Sequence, residues 1–366
     1  MPATLTSDDV LTRSTPAELT VAVEPAVNML STLMLIDKVG SYSGLGDWVN
    51  RAAARLTPEQ LHRNRLVLEG LYFAVQPERR WPSFEAYLAD LESSRPADLR
   101  DRLLGQIVRP HVPTNPTRAQ LAQPAGLLAD VDAYLAFLRT YFCDIDEAIE
   151  RAAHALLNDP PAMQRLIVGH LRELWQGGLA AEWEHVAPML SESASAFQRI
   201  GLAGKSGIEA MRLITGQEPD EKWERLIAEA RQIIFVPSAH IGPYLRKSLS
   251  GQTLWVVFGA RLPDGAPAAA SALSRSDLLV RLGALTDDTR LRILALLSQH
   301  GELCAQDIMT LLDLTQSATS RHLRQLSATG YITERRREIA KCYALNRERI
   351  GDTFGALERF LAQPGG

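Results

Sequence analysis

Cysteine is scarce in this sequence. Cys143, Cys304 and Cys342 are an odd number of thiols set far apart, which argues against a disulfide-stapled fold and for reduced side chains. No uninterrupted apolar run approaches the roughly 18 residues that a membrane span needs, and Met1 to Arg13 holds no charged stretch followed by an apolar one. The expectation is a cytoplasmic chain with no membrane partner. Histidines are few, and His111, His154, His170 and His185 are scattered, with no H-x3-H or H-E-x2-H spacing to put two ligands on one helical face. No Ser/His/Asp or paired-carboxylate arrangement can be singled out either. The sequence therefore offers no catalytic residue, no metal site and no cofactor, and reads as a non-enzyme.

Two glycine-bearing segments come close to nucleotide-binding motifs and miss. Gly201-Leu202-Ala203-Gly204-Lys205-Ser206 has the end of a phosphate loop, but Arg199 stands where the first Gly belongs and a helical pattern precedes it. Gly40, Gly44 and Gly46 have the wrong spacing for a dinucleotide fingerprint and follow no strand.

What is present is an ordinary globular composition, 46% hydrophobic and 22% charged, on a chain of 366 residues, long enough for two domains. Leu262 to Ser271, reading LPDGAPAAAS, interrupts regular structure with two prolines and a glycine. It predicts a mainly helical domain over residues 1–262, a linker over 263–272 and a second domain over 273–366. The fold class expected is mainly α with small β elements. Helical spacing recurs in the first part, as in Leu127, Val131, Leu135 and Leu138, whereas Leu19 to Val23, Gln232 to Val236 and Thr253 to Gly259 read as strands able to pair in a short sheet. Arg95 to Arg118 is Pro-rich enough to hold loops. Between two of the strands lies Pro237 to Tyr244, PSAHIGPY, where His240 and Tyr244 are candidates for lining an effector pocket, or for shaping a connection.

The net charge of -4 conceals a division along the chain. From Ser271 onward thirteen Lys/Arg face eleven Asp/Glu, and between Thr315 and Arg347 seven basic residues face only Glu334 and Glu338. Such a basic patch suits phosphate neutralisation. The pattern there predicts helix, helix, short helix Ala305 to Leu312, turn, helix Ser317 to Thr329, then a hairpin from Tyr331 to Asn346. In the helix from Ser317, Thr319, Leu323 and Leu326 recur at inward spacing, while Ser317, Arg321 and Arg324 repeat on the other side, flanked by Gln316 and Ser320. Short polar and basic side chains near a helix start are what base edges and phosphates require. Arg335, Arg336, Arg337 and Lys341 would form a cationic wing. The order predicts a winged helix-turn-helix on double-stranded DNA; a solvated amphipathic helix and hairpin is the alternative.

Three motifs, LGALTDDTRLRILALL (Leu282 to Leu297), ELCAQDI (Glu302 to Ile308) and LTQSATSRHLRQLSATGYI (Leu314 to Ile332), resemble the winged-helix domain of the ArsR family of bacterial repressors. The resemblance implies a homodimer on an inverted-repeat operator, control by an effector, and usually repression. Many metal sensors of that family carry Cys-x-Cys in the second motif; here it reads Cys304-Ala305-Gln306, and one thiolate cannot hold a thiophilic ion alone. Cys304 or Cys342 remains open as a thiol-based redox sensor or as a small buried hydrophobe. The stripe Ile350, Phe354, Leu357, Leu361 suits a dimer interface or packing on the N-terminal part. In that part LTVAVEPAVNMLSTL (Leu19 to Leu33), GDWVNRAAARL (Gly46 to Leu56), FVPSAHIGPY (Phe235 to Tyr244) and LWVVFGA (Leu254 to Ala260) resemble the helical domain preceding an ArsR-like module in a less studied architecture, which carries no assigned ligand. Its expected role is sensing a small molecule or a protein; an effector-independent architectural DNA-binding protein is the other reading.

Overall fold

The computed structural model describes residues 17–42, 45–108, 124–142, 145–217, 219–263, 275–337 and 340–362. Strand β1 (Glu18–Val21) leads into helix Pro25–Ile36, whose sequence PAVNMLSTLMLI is apolar on nearly every side. Such a helix belongs inside, and all but one of its residues are buried. Its polar members are satisfied locally: Thr32 Oγ1 donates to the Asn28 carbonyl at 2.9 Å, and Asn28 Nδ2 to that of Glu24 at 3.3 Å.

Further helices wrap this one, and side-chain oxygens fix where several begin. Ser83, Asp130, Asp146 and Asp159 each accept a backbone N–H from the first turn of Phe84–Ser93, Val131–Tyr141, Glu147–Leu157 and Pro160–Leu174. Helix Pro96–Val108 fills half of the stretch expected to be loop; Leu99, Leu103, Leu104 and Ile107 recur at helical spacing and are buried, which outweighs the prolines around it.

The three expected strands are found as β1, β2 (Gln232–Ser238) and β4 (Thr253–Gly259), joined by an unforeseen β3 (Arg246–Ser250). The order is β1-β2-β4-β3, with β1, β2 and β4 parallel and β3 antiparallel at the edge. Parallel strands are covered on both faces, hence the unbroken apolar runs IIFV and LWVVF. Ile234, Val236, Trp255 and Val257 turn to the large helical core, while Ile233, Phe235, Leu254, Val256 and Phe258 turn to a second core with Phe197, Met211 and Ile214. β3 escaped notice because RKSLS is the polar pattern of an edge strand.

The C-terminal part comprises helices Arg275–Ala284, Asp288–His300, Ala305–Leu312, Gln316–Ala328 and Arg347–Ala362, with a sheet of order β5-β7-β6 made by β5 (Glu302–Cys304), β6 (Ile332–Arg337) and β7 (Ala340–Leu345). Its own core gathers Ile293, Leu297, Ile308, Leu323, Leu326 and Tyr331. The turn before the fourth helix is closed by Asp313 in the left-handed region, φ 52°. Most of the expected linker, 264–272, lies outside the described residues, as does Cys143.

One expectation is overturned. Cys304 and Cys342 are joined in a disulfide across 38 residues of sequence. β5, three residues too short to be seen in the sequence, sets Cys304 directly opposite Cys342 of β7, so the free-thiol reading fails for this pair.

Candidate nucleic-acid interface

Helix Gln316–Ala328 begins one residue earlier than expected because Thr315 caps it, its hydroxyl accepting the Ala318 N–H at 3.3 Å. Thr319, Leu323 and Leu326 are buried, as their spacing predicts, and Gln316, Ser317, Ser320, Arg321 and Arg324 are exposed. The sequence reading missed that His322 and Gln325 also turn inward.

His322 belongs to a small charged network beneath the helix. Its Nδ1 lies 3.6 Å from Asp287 Oδ1, and the same oxygen accepts the Arg290 N–H at 2.9 Å. Arg290, itself buried, donates to the carbonyls of Ala284 at 2.6 Å and Gly283 at 2.9 Å. Burial pushes the Asp287 carboxyl up, yet the Arg290 N–H, the Arg290 guanidinium and His322 together hold it below the usual range. Burial depresses the His322 imidazole despite Asp287. Asp287 and Arg290 tie the start of the Asp288–His300 helix to Gly283 and Ala284, and the buried His322 Nδ1, which faces Asp287, has no hydrogen-bond partner among the described residues.

Strands β6 and β7 form the hairpin, pairing Arg335 with Cys342, Arg336 with Lys341 and Arg337 with Ala340. The side chains of Arg335, Arg336 and Arg337 lie outside the described residues. Lys341 is exposed, and its Nζ sits 2.6 Å from Glu334 Oε1, so its charge is partly answered within the wing.

The C-terminal half of the exposed helix meets the first part of the chain. Arg324 Nη1 donates to the Ser41 carbonyl at 3.3 Å, and its guanidinium lies 5.0 Å from the centre of the Tyr42 ring. Tyr42 in turn packs edge-on against Tyr244, ring centres 4.4 Å apart. Gln217 Nε2 bridges the carbonyls of Pro243, at 2.6 Å, and Ala328, at 3.2 Å. Ser41, Tyr42 and Gln217 had no signal in the sequence, because nothing local marks a residue that touches a helix 111 or 283 positions away.

The two effector candidates part company. Tyr244 is buried yet borders a cleft with Gln217, Ala328 and Thr329. His240 is enclosed: its ring stacks on Trp48 at 5.6 Å, its carbonyl accepts the Gly46 N–H at 3.1 Å, and a Cβ at Gly46 would lie 2.8 Å from its Nδ1. Burial, with Arg51 and His185 nearby, pushes its pKa down to about 4. A neutral imidazole 3.4 Å from Glu182 Oε1 is no ion pair.

Comparison with known proteins places the family. The profile of the bacterial regulatory proteins of the arsR family matches residues 287–334, from Asp287 through the exposed helix into β6. The arsenic resistance transcriptional regulator ArsR1 of Pseudomonas putida is 41% identical over 64 residues, 18% of this chain and 50% of that protein. The arsenical resistance operon repressor of Escherichia coli is 48% identical over 52 residues, 14% of this chain and 44% of its own length. The chain thus spans about half the length of these curated relatives. It covers 72% of the arsenical resistance operon repressor of Staphylococcus xylosus, at 37% identity over 76 residues. From the profile on the helix-turn-helix and the breadth of that last match, the chain belongs to the arsR family of bacterial regulatory proteins.

Proposed function

We propose that the protein is a transcriptional regulator, a repressor by the names of its relatives, that binds an inverted repeat in double-stranded DNA as a homodimer. The observation that carries this is the exposed face Gln316, Ser317, Ser320 and Arg321, at the start of a helix whose other face is buried in its own core. Gln and Arg there suit adenine and guanine edges, and the hairpin suits the backbone. Homodimer formation is supported by apolar surface on the last helix, where Phe354 is 48% and Leu361 72% exposed, and by Leu279 on helix Arg275–Ala284, 61% exposed. The metal named by the relatives is not carried over, since Cys304-Ala305-Gln306 is not the Cys-x-Cys expected of the family's metal sensors and Cys304 is bonded to Cys342.

The first 262 residues act, in this reading, as an effector-responsive domain reaching the DNA helix through Tyr42, Tyr244 and Gln217. An architectural binder that ignores effectors would not need that contact. A second reading, a thiol-based sensor, is favoured by one observation: the disulfide ties the start of helix Ala305–Leu312 to the wing strand.

The test is selection from a randomised duplex pool with the full chain, followed by fluorescence-anisotropy titration at several salt concentrations. The expected result is a palindrome with half-sites about one helical turn, roughly 34 Å, apart. Arg321→Ala should weaken binding, and Arg336→Ala with Arg337→Ala should lower the salt slope by about 2. No enriched duplex, or variants binding with the original affinity and slope, overturns the proposal.

A further inference from the structure

Between helix Pro25–Ile36, the Tyr72–Pro77 segment and strands β3 and β4 lies a small cavity of about 10 Å³ lined by Val27, Leu30, Tyr72, Arg246, Trp255 and Val257. Val27, Leu30 and Val257 make an apolar wall. Pro77 extends it, and the donors among the lining are Tyr72, Arg246, Ser248 and Trp255. Trp255 is 1% exposed, and its Nε1–H has no acceptor among the described residues. A buried donor left in that condition is costly, so the site is short of an acceptor. Arg246 is half-buried; its Nη1 donates to Ser31 Oγ at 2.8 Å and its guanidinium lies 4.9 Å from the Tyr72 ring centre. Neither partner carries negative charge, and no carboxylate pairs with Arg246 among the described residues. The Tyr72 hydroxyl is 3.0 Å from Ser248 Oγ.

We propose that this cavity is the effector site and takes a short monocarboxylate, its acid group between the Arg246 guanidinium and the Trp255 indole N–H and its tail on Val27, Leu30 and Val257. A planar guanidinium binds a carboxylate through two parallel hydrogen bonds, and a second donor beside it selects the anion over a neutral analogue. At its present size the cavity has room for about one water, so the ligand is small and enters by displacing the half-buried Tyr72 side chain while Arg246 stays on Ser31.

The walls lead to the DNA helix. Helix Pro25–Ile36 runs directly into the turn that ends at Ser41 and Tyr42, and Arg246 follows Tyr244 by two residues. The two tyrosines packed edge-on beside Arg324 thus lie at the ends of the two elements that a ligand would part. The word effector rests on the regulator reading above; the binding of a carboxylate does not.

The experiment is isothermal titration calorimetry of the full chain with sodium propionate and sodium benzoate, with propionamide as the neutral control. At least one carboxylate is expected to bind saturably and the amide not at all. Arg246→Gln is expected to weaken binding by about tenfold or more, Arg246→Lys by less, and Trp255→Phe several-fold, with melting curves checking that each variant is folded. No heat from either carboxylate means that the cavity holds water only and overturns the proposal, as does unchanged affinity in Trp255→Phe together with whichever Arg246 variants fold. The same carboxylate is then added to the anisotropy titration: binding without any change in DNA affinity overturns the effector role. Failure to bind any duplex would overturn the regulator reading, and the calorimetry would still decide the cavity.

Discussion

Arg324 of the exposed helix rests its guanidinium 5.0 Å from the ring centre of Tyr42, a residue of the first helical part of the chain. The same arginine that spacing assigns to the DNA-facing side is therefore held from within. Its hydrogen bond to the Ser41 carbonyl adds to the hold. Under the proposed function, DNA and the Ser41–Tyr42 turn would compete for one side chain.

Removing the ring should favour DNA. A cation–π contact at an exposed site contributes about 0.5–1 kcal/mol, so Tyr42→Ala is expected to tighten duplex binding by about two- to fivefold. Anisotropy titration at fixed salt measures it. Equal or weaker binding by the variant would mean that the contact does not restrain Arg324.

The exposed apolar positions of the last helix make a second expectation. Phe354→Asp with Leu361→Asp should convert a dimer to a monomer, read by light scattering after size-exclusion chromatography, while leaving the far-UV circular dichroism at room temperature unchanged because neither side chain is buried within the chain. A wild-type chain that is already monomeric at micromolar concentration sinks the homodimer.

Reduction should soften the winged part. Dithiothreitol cleaves the Cys304–Cys342 bond to two thiols and is itself oxidised to a cyclic disulfide. Opening a loop of 38 residues costs on the order of 3–4 kcal/mol in the chain-entropy account. The melting temperature of the untreated chain should fall on reduction, and that of Cys304→Ser should not respond. If thiol titration of the unreduced, unfolded chain finds all three cysteines free, the bond does not form in solution.

Buried histidines govern acid sensitivity. The His240 pKa is held at about 4, below the roughly 6.5 of an unfolded chain. The unfolded state therefore binds the extra proton first, and the stabilising neutral form is fully present above about pH 6.5 and lost as pH falls toward about 4. His170, also pushed down to about 4 by burial, acts in the same direction. Glu150, raised to about 7 by burial, acts oppositely, losing its contribution as pH rises through about 7. The clean measurement is a difference: His240→Gln should be less stable than the parent at pH 7.5 by about 1–3 kcal/mol, and the gap should narrow by pH 4.5. A gap independent of pH would show that His240 does not titrate between the two states.

The sequence by itself determined the helix-turn-helix, its inward residues Thr319, Leu323 and Leu326, and three of the four N-terminal strands. These are properties of period: apolar residues at 3.6 or in short unbroken runs, closed by Gly, Pro or a capping side chain, dictate local structure without knowledge of distant partners. Tertiary structure alone decided that Cys304 meets Cys342, that Tyr42 and Ser41 hold Arg324, that His240 is walled in, and that Arg246 and Trp255 share a cavity. The first two depend on strands and turns brought together across 38 and 283 positions, and the cavity on the packing of helix Pro25–Ile36 over β3 and β4. Packing of whole elements sets such contacts, and the residues themselves carry no mark of the partner they will meet.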